Sequence, residues 1–199
     1  MNALQKVKSH LNPGCVYRRS DLKKWSNAVD RHLDQLQKEK MLLKLSGGVY
    51  YYPKETVFGQ VPPEDYLLIK AFLKDTRFLI TTPNMYNSLG VVTTQLYNST
   101  IVYNFKRHGL FKLGGRIFNF VRKPHFPLKL SSEFLLVDLV DNVQKLSENK
   151  ERIFELVKKK ALSMDQKSLY KAIKNYGGIK AKNFFANIFN DESLTSSSL

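Results

Sequence analysis

The sequence predicts an α+β fold with an N-terminal helix-and-hairpin module, a small mixed α/β middle unit and a helical C-terminal region. Three observations predict it. A helix pattern beginning at Ser26 runs into two strand-like segments around Ser46-Gly47-Gly48. Short β-rich runs broken by glycines fill residues 100–122, and apolar stripes at helical spacing recur from Glu133 onward. With 199 residues and 43% apolar content, the chain can bury a real core in one or two domains.

The first module lies within RRSDLKKWSNAVDRHLDQLQKEKMLLKLSGGVYYYP, residues 18–53. A short helical pattern comes first. Ser26 is then expected to cap a second helix, because a serine hydroxyl can accept from an otherwise unpaired amide of the first turn. Val29, Leu33 and Leu36 follow at the spacing of a buried stripe. Asn27, Arg31 and Lys38 project from the opposite face, with Gln35 at its edge. Residues 41–45 (MLLKL) and 49–52 (VYYY) read as strands, and Ser46-Gly47-Gly48 reads as the turn between them. Helix, helix and hairpin in this order predict a winged helix-turn-helix, whose second helix enters the DNA major groove.

That placement assigns roles by chemistry. Arg31 can bond a guanine edge bidentately, Asn27 and Gln35 can pair with adenine, and Lys38 suits phosphate. Lys44, Ser46 and Gly47 at the wing are expected near phosphate. Arg18, Arg19 and Ser26 complete the candidate DNA-binding residues. Asp30 and Asp34 flank the same helix and would repel phosphate, so the docking angle must keep them off the backbone. A plain solvated helix face accounts for the same polar stripe, and only its neighbours favour the reader.

Charge agrees with a polyanionic partner. Residues 1–54 hold 11 basic and 4 acidic side chains, residues 55–130 hold 10 and 4, and residues 131–199 hold 11 and 9. The positive field therefore covers the first two thirds of the chain, where it attracts nucleic acid and speeds capture. No run of 18 apolar residues exists to span a membrane. An apolar signal-peptide core is missing at the N-terminus, and the single Cys15 cannot form an internal disulfide, so a cytoplasmic location is expected. Cys15 beside Val16 reads as a small apolar filler at a helix–strand junction.

Beyond the first module, ETVFGQVPPED (55–65) interrupts the periodicity. DYLLIKAFLK (65–74) then gives a helical stripe of Leu68, Phe72 and Leu73 near Ile69. FLITTP reads as a strand ending at Pro83, and MYNSLG as a helical turn stopped by Gly90. Residues 100–105, 110–113 and 115–122 read as a meander or hairpin pair. In the tail, Leu135, Leu136, Leu139, Val140 and Val143 predict an amphipathic helix, and Ile153, Leu156 and Val157 predict a second. Asp165 caps a third, with Leu169, Ala172 and Ile173 inward and a stop at Gly177-Gly178. AKNFFANIF closes the fold, and residues 193–199 read as a disordered end. The resulting domains are 1–54, 62–130 and 131–199, the last two either separate or one domain.

Two blocks carry a family resemblance. SNAVDRHLDQLQKEKMLLKLSGGVYYYP resembles the N-terminal winged helix of AbiEi-type antitoxins, which are the transcriptional-regulator partners in type IV toxin–antitoxin systems. Their wing closes on Gly-x-Tyr-Tyr-x-Pro; Gly48-Val49-Tyr50-Tyr51-Tyr52-Pro53 is similar, with the same four residues between Gly and Pro but a third tyrosine. The block FLITTPNMYNSLGVVTTQLYNSTIVYNFKRHGLFKLGGRIFNFVRKP resembles the family's second region, with Leu89-Gly90-Val91-Val92-Thr93-Thr94-Gln95 in place of a Leu-Gly-Leu-x-x-Gln-like segment. Asn84 and Tyr86 depart from it by replacing small residues. The match spans roughly residues 4–130 and rests on element order as much as on residues. It implies an autorepressor that binds a double-stranded DNA operator. It also implies a nucleotidyltransferase-like toxin as functional counterpart, countered without a stable complex.

No enzyme is expected. His10, His32, His108 and His125 are scattered without metal-ligand spacing, and His108 reads as a loop residue beside Gly109. Gly47-Gly48 and Gly114-Gly115 lie between strands, without the helix and Lys-Ser/Thr of a phosphate loop. Glu64-Asp65 precedes a helix and suits its dipole. No cofactor or metal is therefore anticipated. A rival reading remains: over residues 100–123, Lys106, Arg107, Lys112, Arg116, Arg122 and Lys123 interleave with Tyr103, Phe105, Phe111, Phe118 and Phe120. A sheet presenting these aromatics would stack single-stranded bases or RNA, whereas a core made of them would not.

Overall fold

The computed structural model describes residues 2–91 and 96–195, with side chains through residue 190. The Val92–Gln95 part of the resemblance motif and residues 196–199 lie outside the described residues. The fold mixes α and β structure, and its C-terminal region is helical. The chain forms two compact units: one comprises the residues up to Arg77 together with Lys106–Phe120, the other Phe78–Phe105 with the residues from Val121 on. The middle segment 62–130 is thus shared between units rather than standing alone. Among the described residues, no helix is long and apolar enough to cross a membrane.

In the first unit, α1 (Ala3–Ser9) starts with a reciprocal cap: Gln5 N–H donates to Asn2 Oδ1 at 2.8 Å, and Asn2 N–H donates to Gln5 Oε1 at 3.3 Å. β1 (Val16–Arg18), α2 (Arg19–Leu22), α3 (Val29–Lys38), β2 (Leu43–Ser46) and β3 (Val49–Tyr51) follow. The strands form an antiparallel sheet in the order β1-β3-β2. Val7, Leu11, Leu22, Val29, Leu33, Leu36 and Leu42 make one core, with Cys15 packed against it as the sequence suggested. The stripe of Val29, Leu33 and Leu36 is buried as expected, because one apolar face of α3 must close over the sheet and the other helices.

Ser26 corrects the sequence reading. α3 begins at Val29, and Ser26 is buried in the turn before it. Its hydroxyl accepts from Ala28 N–H at 3.0 Å and meets His32 Nδ1 at 2.7 Å. A local turn has captured the hydroxyl that would otherwise have capped the helix. Ser26 therefore neither caps α3 nor reaches a ligand. Gly48, at φ +71°, closes the β2–β3 turn in a conformation that side chains rarely adopt.

The interruption at 55–65 holds an unexpected hairpin of β4 (Lys54–Thr56) and β5 (Gly59–Val61). All six strand residues are exposed, and Val57 and Phe58 at its tip are 94% and 98% exposed. Tyr51 Oη ties it to β3 by donating to the Val61 carbonyl at 2.6 Å. α4 (Asp65–Leu73) opens with Glu64 and Asp65, whose charge suits the positive end of the helix, and buries Leu68, Ile69 and Leu73. A hairpin of β8 (Gly109–Leu113) and β9 (Arg116–Arg122) completes this unit up to Phe120. It meets β2 where Gly114 N–H donates to the Leu45 carbonyl at 3.0 Å, the carbonyl exposed by a register shift between Lys44 and Ser46.

Asp75 fastens the two ends of this unit where the chain leaves and re-enters it, pairing with Arg77 at 3.5 Å and Lys106 at 3.2 Å. The Arg77 backbone N–H, and after it the Lys106 ammonium, hold its carboxyl well below the ordinary range. A carboxylate depressed by folding stabilises fully above its unfolded pKa, near about 4, and loses that contribution as pH falls toward the folded value. Asp75→Asn should therefore lower the melting temperature at neutral pH, with the gap to wild type closing below about pH 4. Thermal melts at neutral and strongly acidic pH check this, and a gap independent of pH would contradict it.

In the second unit, β6 (Phe78–Thr81) pairs antiparallel with β7 (Thr100–Asn104), placing Phe78 opposite Asn104. The 3-10 helix Pro83–Leu89 stops at Gly90, as expected. α5 (Ser132–Asn142), α6 (Lys150–Ser163), α7 (Gln166–Tyr176) and α8 (Ile179–Thr195) follow. Asp165 caps α7 by accepting from Ser168 N–H at 2.8 Å, and Leu169, Ala172 and Ile173 point inward as the sequence indicated. α8 runs through residues 193–195, which had read as part of a disordered end.

α5 departs from the amphipathic expectation, because every residue from Phe134 to Val140 is buried. A helix covered on all sides has no solvent face, so its one carboxylate in that run must be satisfied internally. Asp138 is fully buried and accepts from Tyr86 Oη at 2.8 Å, Tyr103 Oη at 2.9 Å and Lys123 Nζ at 2.9 Å. Burial, and then the Asp138 charge, push both tyrosine hydroxyls well above their ordinary range, so they remain donors. Tyr86 and Asn84, the two departures from the resembled pattern, are both used: Asn84 exchanges hydrogen bonds with the Tyr97 backbone at 2.7 and 3.0 Å.

Candidate nucleic-acid interface

The exposed side of α3 follows from its buried side. With Val29, Leu33 and Leu36 inward, a 3.6-residue period leaves Arg31, Gln35 and Lys38 in one exposed row, and Asn27 is exposed just before the helix. Asp30 and Asp34 form the adjacent exposed row. Gln35 is partly engaged, donating from Nε2 to Glu39 Oε1 at 3.2 Å.

Two candidates are tied to acids. Arg19 grips Asp30 through Nε at 2.7 Å and a terminal nitrogen at 2.6 Å. This pair draws the Asp30 carboxyl down and offsets the charge that would repel phosphate beside Arg31. Arg18 holds Asp21 at 3.0 and 3.2 Å, and the same carboxylate accepts from Arg18 N–H at 3.1 Å. Burial works against the charge of Asp21 most strongly, yet the Arg18 bonds prevail and its pKa is lowered. Arg18 thus shapes the start of α2, and Arg19 ties α2 to α3.

On the β2–β3 hairpin, Lys44 is exposed on β2, opposite Tyr50, and Gly47 is exposed in the turn. Ser46 differs from expectation: its hydroxyl is buried without a hydrogen-bond partner among the described residues, so it does not face a phosphate. The turn can offer the anion its backbone and the nearby ammonium.

The fold also gathers cations that sequence spacing could not pair. Arg18, Arg19, Gly47, Gly48, Lys74 and Arg107 line one cleft of about 310 Å³ beside the β2–β3 turn. The Arg107 guanidinium lies 4.6 Å above the Phe72 ring and 5.6 Å from that of Phe111, which fixes a cation over an apolar surface. Lys74 reaches the cleft from the left-handed end of α4, at φ +54°. In total, this unit carries 18 Lys and Arg against 8 Asp and Glu, a net +10, which is most of the chain's +15.

The aromatic residues of the β8–β9 hairpin pack inward. Phe118 and Phe120 are 1% and 0% exposed, and Phe72, Phe111 and Phe120 rings meet at 5.2–5.3 Å. Arg116 shares their face, as alternation predicts, and is spent on Asp65 and on the Pro63 carbonyl at 2.7 Å. In the other unit, Tyr103 is also buried, with its hydroxyl on Asp138. The opposite hairpin face shows Leu110, Lys112 and Ile117 instead. Neither a protein-family model nor a curated protein sequence matches the chain significantly.

Proposed function

We propose that the first unit is a winged helix-turn-helix that binds duplex DNA, and that the protein is an autorepressor of the AbiEi antitoxin type. The observation that carries the DNA reading is the exposed row of Arg31, Gln35 and Lys38 on α3, backed by a buried stripe and set in the unit with net +10. The helix–strand–helix–helix–hairpin order and the β1-β3-β2 sheet support the winged-helix assignment. On this reading α3 enters the major groove, Arg31 and Asn27 read base edges, and Lys38 with the wing holds phosphates. The antitoxin role and the nucleotidyltransferase-like counterpart rest on the resemblance of residues 4–130. The rival single-strand reading is less favoured, because Tyr103, Phe118 and Phe120, three of its five aromatics, are buried while Phe105 and Phe111 are not.

The wing gives a separable test. Lys44→Gln should weaken binding about equally on specific and random duplexes and flatten the salt dependence by about one charge. Titrations at several salt concentrations measure both. A loss confined to the specific duplex would mean that the wing reads bases or shape. Repression is tested by a reporter fused to the promoter of the protein's own gene, where silencing that depends on Arg31 is expected.

A further inference from the structure

We propose that the second unit binds a nucleoside phosphate in the cavity at the α7–α8 turn, a site independent of duplex binding by α3. The cavity is open to the surface, has a volume of about 690 Å³, the size of a small-molecule site, and all the residues lining it belong to this unit. One wall is aromatic. The Phe105 and Phe126 rings lie 4.7 Å apart, tilted by 34°, and Tyr176 stands half-buried with its ring edge-on to Phe134 at 5.7 Å. Such a wall accepts a flat heterocycle.

The rim is cationic. Lys174, in the last turn of α7, and Lys182, in the first turn of α8, are exposed and make no ion pair among the described residues. Lys123 also lines the cavity, anchored on the buried Asp138. The one carboxylate present, Asp141, is turned onto the start of α8, where it accepts from Gly178 N–H at 2.7 Å and Ala181 N–H at 3.2 Å. Backbone donors at the positive helix end hold its oxygens there, and neither rim lysine pairs with it. Gly178 keeps this turn closed, since a Cβ there would lie 2.8 Å from Asp141 Oδ1.

An aromatic wall in one cavity with two exposed ammonium groups that make no ion pair among the described residues selects a ligand that joins a planar ring to a multiply charged anion. Nucleoside phosphates carry both groups; neutral nucleosides and pyrophosphate carry one each. A 5′-phosphorylated strand end has the same chemistry but must leave the cavity with its next nucleotide, whereas a volume of about 690 Å³ accommodates a whole mononucleotide.

Calorimetric titration of the full chain with AMP, GMP, CMP, UMP, adenosine, inorganic pyrophosphate and a 5′-phosphorylated pentanucleotide tests the site. At least one mononucleotide should bind with Kd below about 1 mM, with adenosine and pyrophosphate at least about tenfold weaker. Lys174→Gln with Lys182→Gln should weaken that nucleotide at least about tenfold, as expected when charge-assisted hydrogen bonds are removed, while melting as wild type does. Arg31→Ala should leave it unchanged. Absence of nucleotide binding at about 1 mM would overturn the proposal. So would equal binding by the lysine double variant, or tighter binding of the pentanucleotide than of every mononucleotide.

Discussion

Replacing Asn27 and Arg31 together by alanine should weaken specific duplex binding by roughly 5- to 150-fold for each base-reading side chain removed, the equivalent of about 1–3 kcal/mol apiece. Both side chains are exposed and neither supports the core of Val29, Leu33 and Leu36, so the melting temperature should stay close to wild type. Binding to random duplex should fall much less, because Lys38, Lys44 and the wing still hold phosphates. Anisotropy titrations at fixed salt on specific and random duplexes separate the two effects. Unchanged specific affinity would exclude α3 as the reader. Arg19→Ala gives a contrasting outcome: it releases Asp30 from its 2.6–2.7 Å partner, so binding should weaken on every duplex through exposed negative charge, with base preference unchanged.

Asp138→Ala should cost about 3 kcal/mol, the lower end of the range for breaking a buried ion pair, because the Lys123 side chain is 21% exposed. The substitution leaves the Lys123 ammonium without its counter-ion and the Tyr86 and Tyr103 hydroxyls without their acceptor, all packed around a fully buried position. Tyr86→Phe and Tyr103→Phe each remove one donor and should cost about 0.5–1.5 kcal/mol. Denaturant unfolding followed by circular dichroism reads all three. A cost below that of the tyrosine variants would show that Asp138 is not the hub of this network.

Much of the fold was legible because one face of an element had to be buried. Val29, Leu33 and Leu36 declared α3, and Leu169, Ala172 and Ile173 declared α7, with Asp165 and Gly177-Gly178 marking its ends. Alternation on β9 likewise put Arg116, Phe118 and Phe120 on one face. The β4–β5 hairpin escaped detection for the opposite reason. Its strands Lys54–Thr56 and Gly59–Val61 are exposed on both faces, so no apolar alternation marks them, and its apolar tip residues Val57 and Phe58 lie in solvent.

Other misses arose from long-range packing. A lone aspartate among apolar residues reads as the solvent edge of a helix. Asp138 is buried only because Tyr86, Tyr103 and Lys123, separated from it by 52, 35 and 15 positions, converge on it. The candidate interface shows the same division. Arg31, Gln35, Lys38 and Lys44 are exposed as read from period and turn, whereas Ser26 and the Ser46 hydroxyl are buried. Lys74 and Arg107 reach the cleft beside the β2–β3 turn only through tertiary folding, and nothing in their local sequence announces it.

Selection from a randomised library would show whether α3 and the β2–β3 hairpin read duplex DNA. The full chain and the Asn27→Ala, Arg31→Ala double variant would be selected in parallel against pools of random duplexes and random single strands. The wild-type chain should enrich a defined duplex motif, single strands of that motif should compete poorly, and the double variant should fail to enrich it. Enrichment of single strands over duplexes, or of the same motif by both proteins, would contradict duplex reading by α3.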